Sequence, residues 1–259
     1  MSNLHYALLS GFKAVNSWQQ HLVRNAQGLL LPGYNRTQVH FGSTPGESIG
    51  DPQNGTASHG SRTGRYGGGD ALLLSRTSIG FEQGELKPST SPTSLAIQGE
   101  GFFLLAENLR PGARLFLTRA GDFHYDTQGR LVNQQGMFVV GGPRLTDPPT
   151  PIRNPGDGTV VLPDVLLGKV PVASQLAVSG YGPTIYDLTD PAGALQVFNN
   201  GTPGKVGFVQ SSTLEFAARE GALAALQVEN TNAQQTYKMF KDFLDNYNRA
   251  VDDAISTVK

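Results

Sequence analysis

Asp122, His124 and Asp126 are the residues whose types and spacing come nearest to a chemical site. Alternate residues of a β-strand point to the same face, so a strand through them would place two carboxylates beside an imidazole. Such a cluster could ligate a metal ion or exchange protons with a substrate. The solvated face of a polar hairpin explains the same pattern, and we favour that interpretation.

No other combination of side chains in the sequence indicates catalysis. His5 and His21 are too far apart on one helix to share a metal ion. The glycines around Glu100 lack the strand, the helix and the lysine that a phosphate-binding loop requires. No known nucleophile or metalloprotease motif is present. We therefore predict a protein that is not an enzyme and needs no cofactor or metal. The remaining histidines are scattered singly at His40 and His59.

Composition excludes several classes of partner. The 259 residues have a net charge of −1, so no basic surface for nucleic acid or anionic lipid is expected. No apolar run reaches the roughly eighteen residues that a membrane span needs. The first residues lack the charged and apolar regions of a signal peptide, so any export is expected to use a route without a cleaved leader. The 32 glycines and 16 prolines favour many short strands joined by tight turns.

The two ends of the chain carry helical patterns. Residues 1–31 repeat apolar side chains every seventh position, and Pro32-Gly33 ends the pattern. The last zone alternates steps of three and four, which is typical of a coiled-coil seam. An amphipathic helix packed on its own domain is the alternative interpretation. The residues that we predict to form an assembly interface are Leu8, Val15, Trp18, Leu22, Leu226, Tyr237, Phe240, Leu244, Tyr247 and Val251.

Between the helices, the sequence predicts a short-stranded β domain. Apolar runs of four or five residues alternate with turn residues from Ser94 to Val140, which is typical of a β-meander or barrel-like fold. Ser43–Gly69 is polar, and we expect it to be mobile. The predicted fold class is α+β, with terminal helices that pair as a coiled coil. The predicted segments are an N-terminal helix (1–32), a linker with β segments (33–91), a β-rich domain (92–213) and a C-terminal heptad helix (214–259).

The middle of the sequence resembles the flagellar basal-body rod and hook protein family. The resemblance begins with Gln83-Gly84-Glu85-Leu86 and continues through Leu95-Ala96-Ile97-Gln98-Gly99-Glu100-Gly101-Phe102-Phe103. Leu117-Thr118-Arg119-Ala120-Gly121-Asp122-Phe123 and Asp126-Thr127-Gln128-Gly129-Arg130-Leu131-Val132 follow in the order and spacing of that family. At the ends, Asn25-Ala26, Pro32-Gly33-Tyr34 and Leu214-Glu215 match shorter family elements.

The matching residues are expected to be architectural rather than catalytic. Glycines permit turns and close approach of strands, and consecutive phenylalanines in a strand face opposite sides. The motif residues to which we assign a structural role are Gln83, Gly84, Ile97, Gly99, Gly101, Phe102, Phe103, Gly121 and Gly129.

The resemblance implies a structural subunit of the flagellar axis. Such subunits are exported through the flagellar secretion channel and stack into a hollow helical tube, with the terminal helices as its inner layer. The implied partners are other copies of the chain, other rod or hook proteins and surrounding ring proteins. The chain length favours a rod protein, and the long segment from Gly33 to Gly84 resembles the distal-rod type, with a hook-type or proximal-rod protein as the alternative. A divergent surface or adhesive protein, or a binding module or hydrolase built on Asp122, stays open.

Overall fold

The computed structural model describes residues 3–43, 72–170, 176–188, 195–204, 206–217 and 219–257. The chain is α+β, as predicted, with one long helix near each end and short strands between them. The segment predicted to be mobile, Ser43–Gly69, lies outside the described residues apart from Ser43.

Two compact units make up the chain. We call Met1–Val23, Gln38–Ser78 and Leu226–Lys259 the terminal unit, and Arg24–Thr37 with Ile79–Ala225 the β unit. The four segments predicted from the sequence remain a prediction.

Helix α1 (Asn3–Gly28) follows the seven-residue apolar pattern, with Val15 and Leu22 buried. It ends three residues before the predicted position because the chain turns back after Gly28. A Cβ atom on Gly28 would lie 2.3 Å from the ring of Tyr34, so a glycine is required where this ring packs.

Asn25 ties the last turn of α1 to the chain that follows. Its Oδ1 accepts hydrogen bonds from the Tyr34 hydroxyl at 2.9 Å and from the Thr37 N–H at 3.0 Å. Its Nδ2 donates to the Thr37 carbonyl oxygen at 2.8 Å. Asn25 occupies a position in the seven-residue pattern of α1, and its hydrogen bonds stabilise the turn by which the chain reverses direction after this helix.

Helix α2 (Arg219–Thr257) is 39 residues long. Leu226 and Ala233 of its seam are buried. The ring of Phe12 in α1 meets Tyr237 edge-on, with the centroids 5.4 Å apart, and Phe240 at 5.9 Å. The two helices of the terminal unit therefore contact each other through aromatic side chains.

A two-stranded ribbon of β1 (Thr37–Ser43) and β2 (Leu72–Ile79) also belongs largely to the terminal unit. His40 Nε2 and Ser78 Oγ form a hydrogen bond of 2.8 Å between the strands. The ring of Trp18 in α1 lies edge-on to Phe41, with the centroids 5.4 Å apart. This contact places the ribbon against α1.

The described part of the β unit contains thirteen short strands, and every strand pair in it is antiparallel. The first seven are β3 (Glu85–Pro88), β4 (Leu95–Gln98), β5 (Phe102–Ala106), β6 (Leu115–Thr118), β7 (His124–Tyr125), β8 (Leu131–Val132) and β9 (Phe138–Val139). The others are β10 (Leu166–Lys169), β11 (Leu176–Val178), β12 (Ile185–Leu188), β13 (Gln196–Asn199), β14 (Phe208–Ser211) and β15 (Thr213–Phe216).

Nine of these strands form one sheet, in the order β11-β12-β6-β5-β9-β8-β7, with β10 joining β5 to β13. β4 pairs with β14 and β3 with β15, outside this sheet. β4 does not join the sheet of β5, the next strand in the chain, because the chain turns between them at Gly99 and Gly101, which have φ angles of 102° and 113°. These values suit glycine and turn the chain sharply between β4 and β5.

The core of the β unit lies on both faces of β5. Phe103 and Leu105 pack on one face with Ile97, whereas Phe102 and Leu104 pack on the other. Both phenylalanines of the motif are thus buried, in two different clusters, as the alternation of side chains along a strand requires.

Candidate assembly surfaces and the motif network

Asp122, His124 and Asp126 do not converge. β7 contains only His124–Tyr125, so the strand is too short to align all three residues. His124 is exposed, whereas Asp122 is half-buried. Burial raises the pKa of Asp122, and a hydrogen bond with Gln134 and the charge of His124 offset part of this effect.

The carboxylate of Asp126 organises a turn. It accepts hydrogen bonds from the backbone N–H groups of Gln128 and Arg130, both at 2.8 Å, and binds the Arg130 guanidinium at 2.6 Å. Desolvation pushes the pKa of Asp126 upward, but these bonds hold it below its ordinary value. Gly129 closes the turn with a bond from its N–H to the Asp126 carbonyl oxygen. Among the described residues, no group of three or more His, Asp or Glu is arranged to hold a metal ion.

The family motifs meet in a hydrogen-bonded network centred on Gln83. Its Nε2 donates to Glu215 Oε1 at 2.8 Å and to the Ile97 carbonyl oxygen at 3.2 Å. Its Oε1 accepts the N–H of Gly99 at 2.7 Å. The N–H of Gly84 also donates to Glu215 Oε1, at 2.8 Å. Motifs separated in the sequence thus share one set of bonds, which supports their architectural role.

Arg119 and Glu215 form a buried ion pair in this network. Only 5% of Arg119 and 4% of Glu215 are exposed, and Arg119 Nε lies 3.5 Å from Glu215 Oε2. Arg119 Nη2 donates to the Gly99 carbonyl oxygen at 2.8 Å. Burial lowers the pKa of Arg119 and raises that of Glu215, while the attraction between them opposes both shifts.

Glu215 also holds the segment after α1. Its carbonyl oxygen accepts the N–H of Gly33 at 2.7 Å, and Pro32 forms a β-bridge with Phe216. Arg119 and Glu215 lie within the matching motifs, but the motifs do not indicate that the two residues pair. Each of the two is a charged residue within a largely apolar stretch, which indicates that it is buried. A buried charge requires a partner, so this was the signal for the pair.

Gly121 permits a close approach of two backbone segments in the β unit. A Cβ atom on Gly121 would lie 1.5 Å from the Leu95 carbonyl oxygen. The Leu95 N–H donates to the Gly121 carbonyl oxygen at 2.9 Å, and Ser94 forms an antiparallel β-bridge with Asp122. This contact fixes the start of β4 against the segment that follows β6.

The seam residues of the terminal helices differ in their burial. Val15, Leu22 and Leu226 are buried, and Trp18, Phe240, Leu244 and Tyr247 are half-buried. Tyr237 and Val251 are exposed, as is Ile255 one turn farther along α2. Leu8 lies in α1, but its side chain is not among those described. Whether these residues form an interface between copies remains a prediction.

The structure adds Gly11 and Phe12 to the helix contact. A Cβ atom on Gly11 would lie 2.7 Å from the ring of Phe240, so the absence of a side chain makes room for that ring. In the seven-residue pattern of the sequence, Gly11 interrupts the apolar stripe. The large aromatic residue beside it, Phe12, is the signal that this glycine makes room for a side chain of the other helix and does not end the helix contact.

No helix among the described residues is both long enough and apolar enough to span a bilayer.

Comparison with known proteins finds the same family as the motifs. Residues 96–182 match the family model described as the flagellar hook protein FlgE/F/G D1 domain. The chain is 36% identical to the flagellar hook protein FlgE of Brucella abortus over 133 residues, which is 51% of this chain and 29% of that protein. It is 30% identical to FlgE of Rhizobium meliloti over 133 residues, with the same coverage. FlgE of Treponema pallidum is 30% identical over 137 residues, which is 50% of this chain and 28% of that protein.

Proposed function

Residues 96–182 belong to the flagellar hook and rod protein family, and from this premise we propose that the chain is a structural subunit of the flagellar axis that polymerises through its terminal helices. The motif-based recognition of this family is confirmed. The matched region covers under a third of the hook proteins, so the assembly role of the whole chain is part of the proposal.

The observation that carries the proposal is the incomplete burial of the helix seam. Phe12, Tyr237 and Phe240 join α1 to α2, yet Tyr237 and Val251 of the same seam stay exposed. The half-buried Leu244 and Tyr247 connect these two side chains along one face of α2, and contiguous apolar surface that stays exposed marks an interface. Coiled-coil pairing of the two helices and a barrel-like β unit complete the proposal.

The hook type fits better than the distal-rod type that we predicted from length. The relatives named above are hook proteins. The distal-rod type has no counterpart among those relatives and stays the alternative. A hook-type subunit would contact copies of itself and neighbouring axial proteins.

The test is polymerisation of the purified full-length chain. With rising concentration we expect a sedimenting fraction that appears as tubes by negative-stain electron microscopy. A tagged copy produced in its own bacterium should also be recovered with purified hook–basal bodies. A chain that stays monomeric at every concentration and is absent from those preparations would contradict the proposal.

A further inference from the structure

The turn that follows β13 contains an Asn-Gly pair, Asn200-Gly201, which is one of two in the sequence. The other pair, Asn54-Gly55, lies outside the described residues. An asparagine followed by glycine is especially prone to deamidation, because glycine has no side chain to shield its backbone nitrogen. Asn200 therefore combines a reactive sequence with a defined position in the fold.

Deamidation begins when the backbone nitrogen of Gly201 attacks the side-chain carbonyl carbon of Asn200. The bond from Cγ to Nδ2 breaks, the amino group leaves as ammonia with the proton of the Gly201 N–H, and a five-membered succinimide forms. Water then opens this ring at one of its two carbonyl carbons and gives aspartate or isoaspartate. Both products carry a new negative charge, and isoaspartate also routes the main chain through the side chain.

The turn requires the glycine of this pair. The Thr202 N–H donates to the Asn199 carbonyl oxygen at 3.2 Å, and the φ angle of Gly201 is 72°. A positive φ at the third residue is typical of a type II turn and favours glycine. A Cβ atom at this position would also lie 3.0 Å from the ring of Phe208. The residue that makes the pair reactive is thus fixed by the local structure.

The fold also uses both polar atoms of the Asn200 side chain. Its Oδ1 accepts the Val209 N–H at 2.8 Å, and its Nδ2 donates to the Leu162 carbonyl oxygen at 3.1 Å. The Asn200 N–H donates to the Val165 carbonyl oxygen at 3.0 Å. Val165 and Val209 belong to the core cluster that contains Phe103. One asparagine therefore joins β14 to the segment before β10 at the edge of the core.

These bonds oppose the reaction in the folded protein. For attack, Cγ of Asn200 must turn toward the nitrogen of Gly201, which breaks the bonds to Val209 and Leu162. The second residue of a type II turn also has a ψ angle of about 120°. This angle is far from the eclipsed arrangement of Cβ and the next nitrogen that closes a five-membered ring. Local structure and side-chain bonding thus both hold the amide away from the nucleophile.

The same bonds make the product a poor fit. An aspartate at position 200 can still accept the Val209 N–H, but it has no donor for the Leu162 carbonyl oxygen. Two acceptors then face each other, which leaves both without a partner. Isoaspartate also lengthens the main chain between Asn200 and Gly201, so the turn cannot keep its geometry.

We propose that Asn200 is a deamidation site that is open in the unfolded chain and locked by the fold, and that its conversion lowers the stability of the β unit. The time that a chain spends unfolded is thereby recorded as a charge at residue 200. A chain that folds promptly keeps its amide. The inference is independent of the proposed function.

Reaction rates in the two states test the lock. The full-length chain is incubated at mildly alkaline pH, folded in one sample and in urea in the other, and its tryptic peptides are followed by mass spectrometry. Trypsin separates the two pairs, and Asn54 is the internal standard in urea. We expect similar rates at Asn54 and Asn200 in urea, and a rate at Asn200 at least tenfold lower in the folded protein.

Equal rates at Asn200 in the two samples would overturn the inference, because the bonds would then give no protection. A rate at Asn200 in urea more than tenfold below that at Asn54 would also overturn it, because the pair would not be labile in the unfolded chain.

Asn200→Asp measures the effect of the product on stability. We expect its thermal unfolding midpoint to fall by about 3 °C or more, because a hydrogen bond is replaced by a contact between two acceptors. Asn199→Asp introduces the same charge at the exposed neighbouring position and is the matched control, which should keep its midpoint. Equal midpoints in the two variants would overturn the inference, since conversion of Asn200 would then carry no specific cost.

Discussion

At the scale of single residues, the Arg119–Glu215 pair places two opposite charges inside the β unit. Removal of one partner leaves the other buried and uncompensated, which costs about 3–5 kcal/mol. We therefore expect Arg119→Met to lower the free energy of unfolding by that amount in urea denaturation. Arg119→Met/Glu215→Leu should lose less than the sum of the two single variants, because it leaves no unpaired charge.

The exposed pair Arg114–Asp187 provides the control for this cycle. Its arginine side chain is 63% exposed, and exposed pairs contribute about 0–1 kcal/mol. Arg114→Met should therefore change the free energy of unfolding by less than about 1 kcal/mol. An equal loss in Arg114→Met and Arg119→Met would show that burial is not the cause.

Gly121 gives a steric prediction at the same scale. Gly121→Ala places a methyl group on the Leu95 carbonyl oxygen, so one of the two backbone segments must move. We expect a loss of more than about 3 kcal/mol or failure to fold, measured by thermal unfolding. Gly180→Ala, whose Cβ atom would meet nothing within 4 Å, is the matched control. A stable Gly121→Ala protein would refute the close approach.

Tyr186 predicts a loss of stability at alkaline pH. Burial raises its pKa to about 12, although its hydroxyl oxygen accepts a hydrogen bond from Asn35 at 3.0 Å. Because the pKa of Tyr186 is higher in the folded protein than the unfolded value of 10.0, the protonated hydroxyl stabilises the fold. This stabilisation is complete below pH 10 and is lost as the pH rises through about 12. Two pKa units correspond to about 3 kcal/mol.

The corresponding variant is Tyr186→Phe, which cannot ionise. We expect it to be less stable at neutral pH, because Asn35 loses a partner, but to lose less stability between about pH 10 and 12. Denaturation curves across this range for both proteins supply the comparison. Parallel declines would argue that other groups cause the alkaline loss.

At the scale of elements, the sequence predicted local structure better than distant pairing. Heptad spacing predicted both helices, and apolar runs predicted β5 and β6 closely. The pairings β3–β15 and β4–β14 join residues more than 100 positions apart, and nothing in a local pattern specifies such partners. For the same reason, the sequence did not predict the hydrogen bond between Gln83 and Glu215. The burial of Phe103 could be predicted, because side chains alternate between the two faces of a strand.

These pairings lead to a prediction about fragments. Residues 92–213 contain the nine-stranded sheet but omit β3, most of β15 and the Gln83–Glu215 bonds. We expect this fragment to melt cooperatively, but at a lower temperature than residues 79–217. Circular dichroism melts of the two fragments provide the test. Equal midpoints would show that the motif network adds no stability, and a disordered shorter fragment would refute the predicted domain.

At the scale of the whole molecule, the seam and the β unit should respond independently to substitution. Phe240→Asp/Leu244→Asp places two carboxylates in the helix contact that Phe12 and Gly11 form with Phe240. The cost of burying charge exceeds the roughly 1.5–3 kcal/mol that each apolar side chain contributes. We expect this variant to lose polymerisation in a sedimentation assay while the melt of its β unit stays unchanged.

Either of two results would contradict that expectation. Polymerisation at the normal level would show that the seam does not contribute to assembly. A lower melting temperature of the β unit would show that α2 stabilises its own domain, which is the alternative interpretation of the helix as an ordinary packing element.

The bond between Gly84 and Glu215 joins residues 131 positions apart, and Gly33 reaches the same residue from even farther upstream. Closing so long a loop is slow compared with forming hairpins such as β5–β6. The β unit therefore cannot complete its motif network until nearly all of the chain is available. A copy that ends before Leu214 leaves β3, Gly33 and Arg119 without their partners. The fold thus contains a length check, because an unfinished chain cannot form the bonds that join the two ends of the β unit.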